Sequence, residues 1–274
     1  MQNVIVQKVY AKDFTVSGVH FTGVDHVLLK DCVFESTSVT TGIGFETRSS
    51  NGANSYVRHV IMKRCTFKTD HAFFLTGDTH NMSGDSMRFE DCRFIIESAV
   101  IGYRQAPGRI IGVIEHAAFV HCDFEIESFT TSQSSIGLFF YFDYKNNTDM
   151  HWHFDSCRFI NHGTVTANSP IMVFNNSNHY KIETEHIFVT VRNCLIRGFR
   201  WLIRYGTASG TLYHYIDPAF SGYPIDIDGG ATPRQDAIDA LNAVHRVLAR
   251  NNYYIDETIN NEYHLFRRAE EFGF

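Results

Sequence analysis

The stretch VLLKDCVF, residues 27–34, recurs five more times along the chain, always with a cysteine as its sixth residue. The other copies are VIMKRCTF at 60–67, MRFEDCRF at 87–94, AAFVHCDF at 117–124, WHFDSCRF at 152–159 and VTVRNCLI at 189–196. Their cysteines are Cys32, Cys65, Cys92, Cys122, Cys157 and Cys194, spaced 33, 27, 30, 35 and 37 residues apart. Intervals of this size are typical of solenoid repeats, so the octapeptide marks an internal repeat that covers most of the chain.

Each octapeptide carries apolar residues at four offsets from its cysteine: five before, three before, the cysteine itself and two after. Alternation of this kind predicts a strand with one buried face. The alternation slips by one residue between the second and third of these positions, so we expect the chain to turn a tight corner there. Asp, Asn and His tolerate the left-handed backbone angles that such a corner needs. The predicted corner residues are Asp31, Arg64, Asp91, His121, Ser156 and Asn193.

A further short apolar run follows each cysteine after a gap of variable length. The runs are TGIGFE from Thr41, AFFLTG from Ala72, SAVIGY from Ser98, IGLFFYF from Ile136, SPIMVF from Ser169 and WLIRYG from Trp201. Three short strands per repeat, with one tight corner and longer loops elsewhere, predict one coil of a parallel β-helix.

The sixfold pattern through residues 27–203 resembles that of the right-handed parallel β-helix superfamily of pectate lyases and phage tailspikes. The resemblance implies an all-β, single-stranded parallel β-helix of about six to seven coils. It also implies that the cysteines point inward as a ladder about 24 Å long, for coils about 4.8 Å apart. We expect an N-terminal cap or partial coil at 1–26, the β-helix at 27–225 and a C-terminal helical segment at 226–274.

Both ends of the repeat region carry weaker versions of the pattern. One set of residues keeps the apolar offsets around Asp217 and predicts a seventh coil: Tyr213, Tyr215, Pro218 and Phe220. Another set, around a corner at Gly18, lies too close to Cys32 for three strands and predicts an N-terminal cap or partial coil: Phe14, Val16, Val19 and Phe21.

The C-terminal segment carries helix signals. Thr232 and Pro233 predict a helix start, and an apolar stripe follows at Ile238, Leu241, Val244, Val247 and Leu248. A second short helix is predicted from Glu262 to Phe272. These helices either cover the open end of the solenoid or pack against symmetry-related copies.

The composition excludes several classes of protein. The chain has 274 residues, 24 Lys+Arg against 30 Asp+Glu, a net charge of -6, 44% hydrophobic residues and 20% charged residues. These values argue against a nucleic-acid binder that relies on positive charge and against a disordered chain. The apolar runs are short for a bilayer span, and the first residues lack the apolar core of a signal peptide. We therefore expect no nucleic-acid partner, no membrane insertion and no signal peptide.

The shared slot of the cysteines argues against disulfides, because side chains stacked in parallel do not favour the near-perpendicular disulfide dihedral. Zinc is disfavoured as well, since no C-x-x-C pair occurs and a straight ladder offers no tetrahedron. Free, buried cysteines behave as small hydrophobic residues and suit assembly in a reducing cytosol. We expect no cofactor.

Two kinds of chemistry remain open in the sequence. His151 and His153 flank Trp152, and on a threefold axis such a pair could supply six nitrogens to a transition-metal site. The alternative is a solvated surface pair, because Trp152 occupies the inward slot. In enzymes of the superfamily that the chain resembles, the active groove lies along one sheet and its bordering loops. Here that sheet would be formed by the short apolar runs that follow the cysteines. At the ends of these runs, Glu46, Asp78 and Asp143 are candidate acids and bases, and Arg104 is a candidate charge stabiliser. The alternative is that all four are ordinary solvated loop residues.

Three functions fit these observations. The first is a virion component: a homotrimeric phage tail or head spike, fibre or attachment protein, assembled in the host cytoplasm with other virion proteins. Its rigid rod would present loops to a surface or to a bacterial polysaccharide. The second is a phage-borne polysaccharide lyase or glycoside hydrolase, and the third is a fragment of a longer adhesin.

Overall fold

The described part of the chain is built from β-strands and contains no helix. The computed structural model describes residues 3–15, 17–21, 23–36, 43–47, 56–69, 72–76, 83–97, 99–101, 108–110, 113–127, 129–131, 140–142, 150–163, 170–176, 187–198, 201–207, 212–213, 246–250, 253–255 and 267–268. Everything that follows refers to these residues.

The strands follow one another in coils, and a coil adds one strand to each of three sheets. The first four coils contain β1 (Val4–Gln7), β2 (Tyr10–Lys12) and β3 (Ser17–Phe21); β4 (Val24–Lys30), β5 (Val33–Ser36) and β6 (Ile43–Thr47); β7 (Tyr56–Lys63), β8 (Thr66–Thr69) and β9 (Ala72–Thr76); and β10 (Ser83–Glu90), β11 (Arg93–Ile96), β12 (Ala99–Ile101) and β13 (Gly108–Ile110). The next three contain β14 (Val113–Val120), β15 (Asp123–Ile126), β16 (Phe129–Thr131) and β17 (Phe140–Phe142); β18 (Met150–Asp155), β19 (Arg158–Asn161) and β20 (Pro170–Asn176); and β21 (Ile187–Arg192), β22 (Leu195–Arg197), β23 (Trp201–Thr207) and β24 (Leu212–Tyr213). An eighth coil begins with β25 (Arg246–Arg250) and β26 (Tyr253–Ile255), and β27 (Arg267–Arg268) follows.

The sheets are stacks of parallel strands. The first sheet has the order β1-β4-β7-β10-β14-β18-β21-β25, the second β2-β5-β8-β11-β15-β19-β22-β26-β27, and the third β3-β6-β9-β13-β17-β20-β23-β24. Strands β12 and β16 form a separate parallel pair, and only β24 and β27 pair antiparallel among the described strands. The chain is thus an all-β solenoid of stacked parallel strands, an arrangement compatible with a parallel β-helix.

The strand register follows the cysteine spacing. Val27 pairs with Val60 in the first sheet and Phe34 with Phe67 in the second, both 33 residues apart, as are Cys32 and Cys65. The two sheets therefore advance together from coil to coil, and the octapeptide keeps one three-dimensional position in every coil.

The corner between these two sheets has the predicted backbone conformation. All six predicted corner residues have a positive φ, between 51° and 56°. The corner amide donates forward, as Asp31 N does to Lys63 O at 3.0 Å, and the amide after the cysteine donates back, as Thr66 N does to Cys32 O at 2.9 Å. The hydrogen-bond ladder therefore continues around the bend, which leaves its buried amides paired.

Two rows of phenylalanine rings fill the core beside the cysteines. Three residues before the cysteine, Phe119 stacks between Phe89 and Phe154 with centroid separations of 4.5 and 4.9 Å. Two residues after the cysteine, Phe124 stacks on Phe159 at 4.8 Å. The rows meet edge to face, as Phe119 and Phe124 do at 5.5 Å, so the first two sheets share one core.

The ends of the solenoid differ from the sequence predictions. The first corner is Lys8, with a φ of 54°, whereas Gly18 lies inside strand β3 and is not a corner. The predicted helix stripe is wrong at Val247 and Leu248, which lie in β25 and pair with Val189 and Thr190.

Few of the residues in the other C-terminal predictions are described by the structure. Arg267–Arg268, within the second predicted helix, is a strand that pairs with β26. Of the predicted seventh coil, Tyr213 belongs to β24, which runs antiparallel to β23. Residues 214–220 and 226–245 lie outside the described residues.

Candidate functional site

The outer side of the first sheet carries an unusual set of side chains, which we call the first-sheet face. It consists of the residues six and four positions before each cysteine in coils two to six: His26, Leu28, His59, Ile61, Ser86, Arg88, His116, Ala118, His151 and His153. Residues at these positions point away from the core because their neighbours Val27, Val60, Met87, Ala117 and Trp152 are buried. Five of the ten are histidines, so this face brings imidazoles together that are far apart in sequence.

The histidines six positions before the cysteine form stacked pairs across neighbouring coils. The rings of His26 and His59 lie 4.5 Å apart with an interplanar angle of 24°. The rings of His116 and His151 lie 5.2 Å apart at 20°. Both separations follow from the spacing of adjacent parallel strands, about 4.8 Å.

One carboxylate joins the first of these pairs. Oδ1 of Asp25 lies 2.8 Å from Nδ1 of His26 and 2.7 Å from Nδ1 of His59. The hydrogen bond with His59 lowers the pKa of Asp25, although partial burial opposes this effect. Asp25 is therefore ionised at neutral pH and holds two ring nitrogens at a single oxygen.

A shallow depression of about 290 Å³ lies in the middle of the first-sheet face. It exists because Ser86 and Ala118 are the smallest side chains on a face that otherwise carries larger ones. Its polar rim comes from His59, Arg88, His116 and His153; Ile61, which is partly exposed, adds an apolar contact.

His153 lies beside this depression, next to Ala118 in the strand register. Burial lowers the pKa of His153, and the positive fields of His151, Arg192 and His116 lower it further. The neutral form of His153 therefore predominates at pH 7.

The outer side of the second sheet is different, because its charges pair with one another between coils. Arg158 holds Asp123 with two hydrogen bonds of 2.7 and 2.9 Å and reaches Glu125 at 3.2 Å. At the corner, Arg64 holds Asp31 in the same way. Exposed pairs of this kind add little stability. On this side of the chain the described charges thus pair between neighbouring coils.

The cysteines are unsuited to redox or nucleophilic chemistry in the folded chain. All six are free and buried. Burial raises the pKa of Cys122 and Cys157, and a hydrogen bond with the next thiol of the ladder raises that of Cys65 and Cys92. Each thiol also donates to a backbone carbonyl, as Cys92 does to Met62 O at 3.5 Å. The protonated thiol is thus a weak donor for the corner carbonyls, which explains its value in this slot.

The structure describes three of the predicted catalytic and metal-binding residues and leaves the other three outside its described part. Glu46 lies in β6 of the third sheet, in register with His20 of β3 and Leu75 of β9. Asp78, Arg104 and Asp143 lie outside the described residues. His151 and His153 lie on the first-sheet face on either side of the buried Trp152. Sequence reasoning missed the cluster of Asp25, His26 and His59, although an alignment of the octapeptides with their preceding residues would have shown the histidine row.

Comparison with known proteins gives no family. No protein-family model matches the chain, and no curated protein or solved structure matches it. Among the described residues, no helix has the length and apolar character needed to cross a membrane.

Proposed function

We propose that this chain is a structural component of a virus particle, a phage tail or head spike, fibre or attachment protein. In this proposal it adopts the right-handed β-helix of the tailspike superfamily, assembles as a homotrimer and presents its loops to a bacterial surface polysaccharide or another receptor. It assembles in the host cytoplasm with other virion proteins.

The observation that carries the proposal is a difference in length between two connections of the coil: the corner from the first sheet to the second is constant, and the connection from the second sheet to the third varies. Exactly two residues separate the first-sheet strand from the second-sheet strand in coils one to seven; one example is the step from Lys30 to Val33. By contrast, the step from the second sheet to the third runs from Ser36 to Ile43 in one coil and from Thr69 to Ala72 in the next. A constant scaffold that carries loops of variable length is the usual design of a recognition protein.

The core supports a stiff scaffold. Stacked rings and thiols continue through consecutive coils, and the corner hydrogen bonds join each coil to the next one. A densely packed interior of this kind resists deformation. The free thiols agree with assembly in a reducing compartment, since oxidising compartments favour disulfides.

The test combines mass and binding. Light scattering on the purified chain should give the mass of a trimer, and labelled protein should bind to some bacterial strains of a panel and not to others. Shortening the segment between β20 and β21 (177–186) to a tight turn should change the strain pattern while the unfolding midpoint stays the same. A monomer that binds no strain would refute the proposal.

The depression on the first-sheet face favours a second candidate, a polysaccharide lyase or glycoside hydrolase. The depression is lined by the imidazole of His153, a candidate base, and by the cation of Arg88, which is paired with Glu90 and could exchange this partner for an anionic substrate. Incubation with bacterial polysaccharides should then produce unsaturated or reducing ends, and His153→Gln should abolish them. Cleavage that persists in this variant but is lost in Glu46→Gln would place the chemistry on the third sheet instead.

A further inference from the structure

We propose that Asp25, His26 and His59 bind one divalent transition-metal ion, such as Zn²⁺, Co²⁺ or Ni²⁺, on the first-sheet face. This proposal does not depend on the virion role. Among the described residues, these three form the only group in which three potential ligand atoms lie within 4.8 Å of one another.

The donor geometry is close to that of a metal site. Nδ1 of His26 and Nδ1 of His59 lie 2.8 and 2.7 Å from Oδ1 of Asp25. With metal–ligand bonds of about 2.0–2.2 Å, neighbouring donors are about 2.8–3.1 Å apart in octahedral sites and about 3.3–3.6 Å apart in tetrahedral sites. For an octahedral ion the two N–O distances therefore need to lengthen by only a few tenths of an ångström, and the three potential ligand atoms already lie within 4.8 Å of one another.

The protons of the site can move without a net change in charge. Each ring nitrogen that now faces the carboxylate must present its lone pair to the metal. A neutral imidazole achieves this when its proton moves from Nδ1 to Nε2, the other tautomer. The ionised carboxylate keeps its charge and becomes the third ligand.

The ligand types select the class of ion. Two imidazoles with one carboxylate are the donors preferred by first-row transition metals, with open positions left for water. Calcium and magnesium prefer sites made of oxygen ligands. The side chains of both histidines are 44% exposed and that of Asp25 is 23% exposed, so an ion can enter from solvent and retain bound water.

The backbone around the site is held in an uncommon conformation. His26 and His59 have φ values of 59° and 51°, although both lie inside strands. Strand pairing on both sides fixes this conformation, because Asp25 pairs with Arg58 and Val27 with Val60. A left-handed non-glycine residue costs about 1–3 kcal/mol, and such strain is concentrated at functional sites.

The chain contains its own matched control in coils five and six. Glu115, His116 and His151 occupy the same slots as Asp25, His26 and His59, and the two rings are again stacked. However, neither His116 nor His151 has a positive φ, and this trio does not bring its ligand atoms together within the same distance. The same residue types without the backbone kink should therefore bind metal weakly.

The experiment uses the full chain without a polyhistidine tag, treated with chelator and dialysed. Titration calorimetry with Zn²⁺ should give one ion per chain, and Co²⁺ should give a visible absorption band from nitrogen and oxygen ligands. His59→Gln and Asp25→Asn should each weaken Zn²⁺ binding by more than the roughly 10- to 100-fold typical of losing an outer-shell partner. The control His116→Gln/His151→Gln should bind as the parent chain does.

Three outcomes would overturn the proposal: no binding by the parent chain, equal loss in the control variant, or a preference for Ca²⁺ over Zn²⁺. Circular dichroism of each variant verifies the fold. If His59→Gln does not fold, Asp25→Asn decides, since it keeps the shape of the side chain. An increase in the unfolding midpoint with Zn²⁺, present in the parent chain and absent in Asp25→Asn, gives a second readout.

Discussion

Replacement of Gly198 by alanine should lower the free energy of unfolding by more than left-handed backbone strain alone accounts for, because the new methyl group would collide with the neighbouring coil. Gly198 has a φ of +75°, and a Cβ at this position would lie 2.2 Å from the backbone oxygen of Asn161. That oxygen belongs to the last residue of β19 and cannot move without breaking the strand. Asn161 is itself buried, and its side chain donates to Gly198 O at 2.7 Å while it accepts from Gly163 N at 2.9 Å.

The magnitude follows from a comparison with Gly23. Gly23 has a φ of +63°, and an added Cβ there would meet nothing within 4 Å. Gly23→Ala should therefore lower the free energy of unfolding only by the left-handed strain, about 1–2 kcal/mol. Gly198→Ala carries the same strain and also displaces the buried Asn161, whose unpaired amide costs about 1–3 kcal/mol more. We expect a total of about 2–5 kcal/mol.

Urea unfolding followed by circular dichroism measures both variants under one set of conditions. The expected order of stability is parent, then Gly23→Ala, then Gly198→Ala, with no change in the strand signal of the folded state. Equal losses in the two alanine variants would show that Asn161 and Gly198 are not in contact, and the packing of coils six and seven would have to be revised.

Three further predictions concern the cysteines and the histidines. Cys92→Asp should unfold or aggregate the chain, because burying an unpaired carboxylate costs more than the roughly 2–7 kcal/mol of an unpaired amide or hydroxyl, whereas Cys92→Ala should remain soluble in the same expression and sedimentation assay. All six thiols should react slowly with a thiol reagent in the folded chain and rapidly in denaturant, since all are buried; fast reaction of several thiols in the folded chain would contradict the ladder. The lowered pKa of His153 means that the unfolded chain binds its proton more tightly, so the stability that the neutral ring contributes should decrease as the pH falls below about 6.5. His153→Gln should remove this part of the pH dependence of the unfolding midpoint, and an unchanged profile would exclude His153 as its source.

The sequence predicted the repeating part of the fold because two adjacent positions of the repeat have strict physical requirements. The corner residue must adopt a left-handed conformation and the next residue must be small and apolar, so both leave a visible pattern. All six corner residues have the predicted positive φ, including Arg64, whose residue type seldom adopts it. Where the requirement relaxes, the pattern fades, and the loops between the sheets could not be predicted.

For the same reason, sequence reasoning did not recognise the octapeptide phase at the two ends and predicted a cap or partial coil at residues 1–26 and a helical segment at residues 226–274. VIVQKVYA at 4–11 and VLARNNYY at 247–254 have the octapeptide phase but carry valine or asparagine in place of the cysteine. Val9 is 38% exposed, and the adjoining strand β2 pairs in the described structure only with β5. A slot that is not fully buried does not require a cysteine. At the other end, the apolar residues of a five-residue strand also fit a helical spacing, because short apolar runs do not separate the two periods.

In a solenoid, residues in the same slot of adjacent coils lie closer together than residues two apart along one strand, and the histidine cluster is an example. The motif His151-Trp152-His153 is conspicuous along the chain, yet residues two apart in a strand are about 6.6 Å apart. Residues in the same slot of neighbouring coils are about 4.8 Å apart, and the stacked rings of His26 and His59 have this closer spacing. In this closer pair both Nδ1 atoms reach the same oxygen of Asp25. In a repeat of this kind, side chains that act together are therefore found by comparing one slot across copies, at sequence separations such as the 33 residues between His26 and His59.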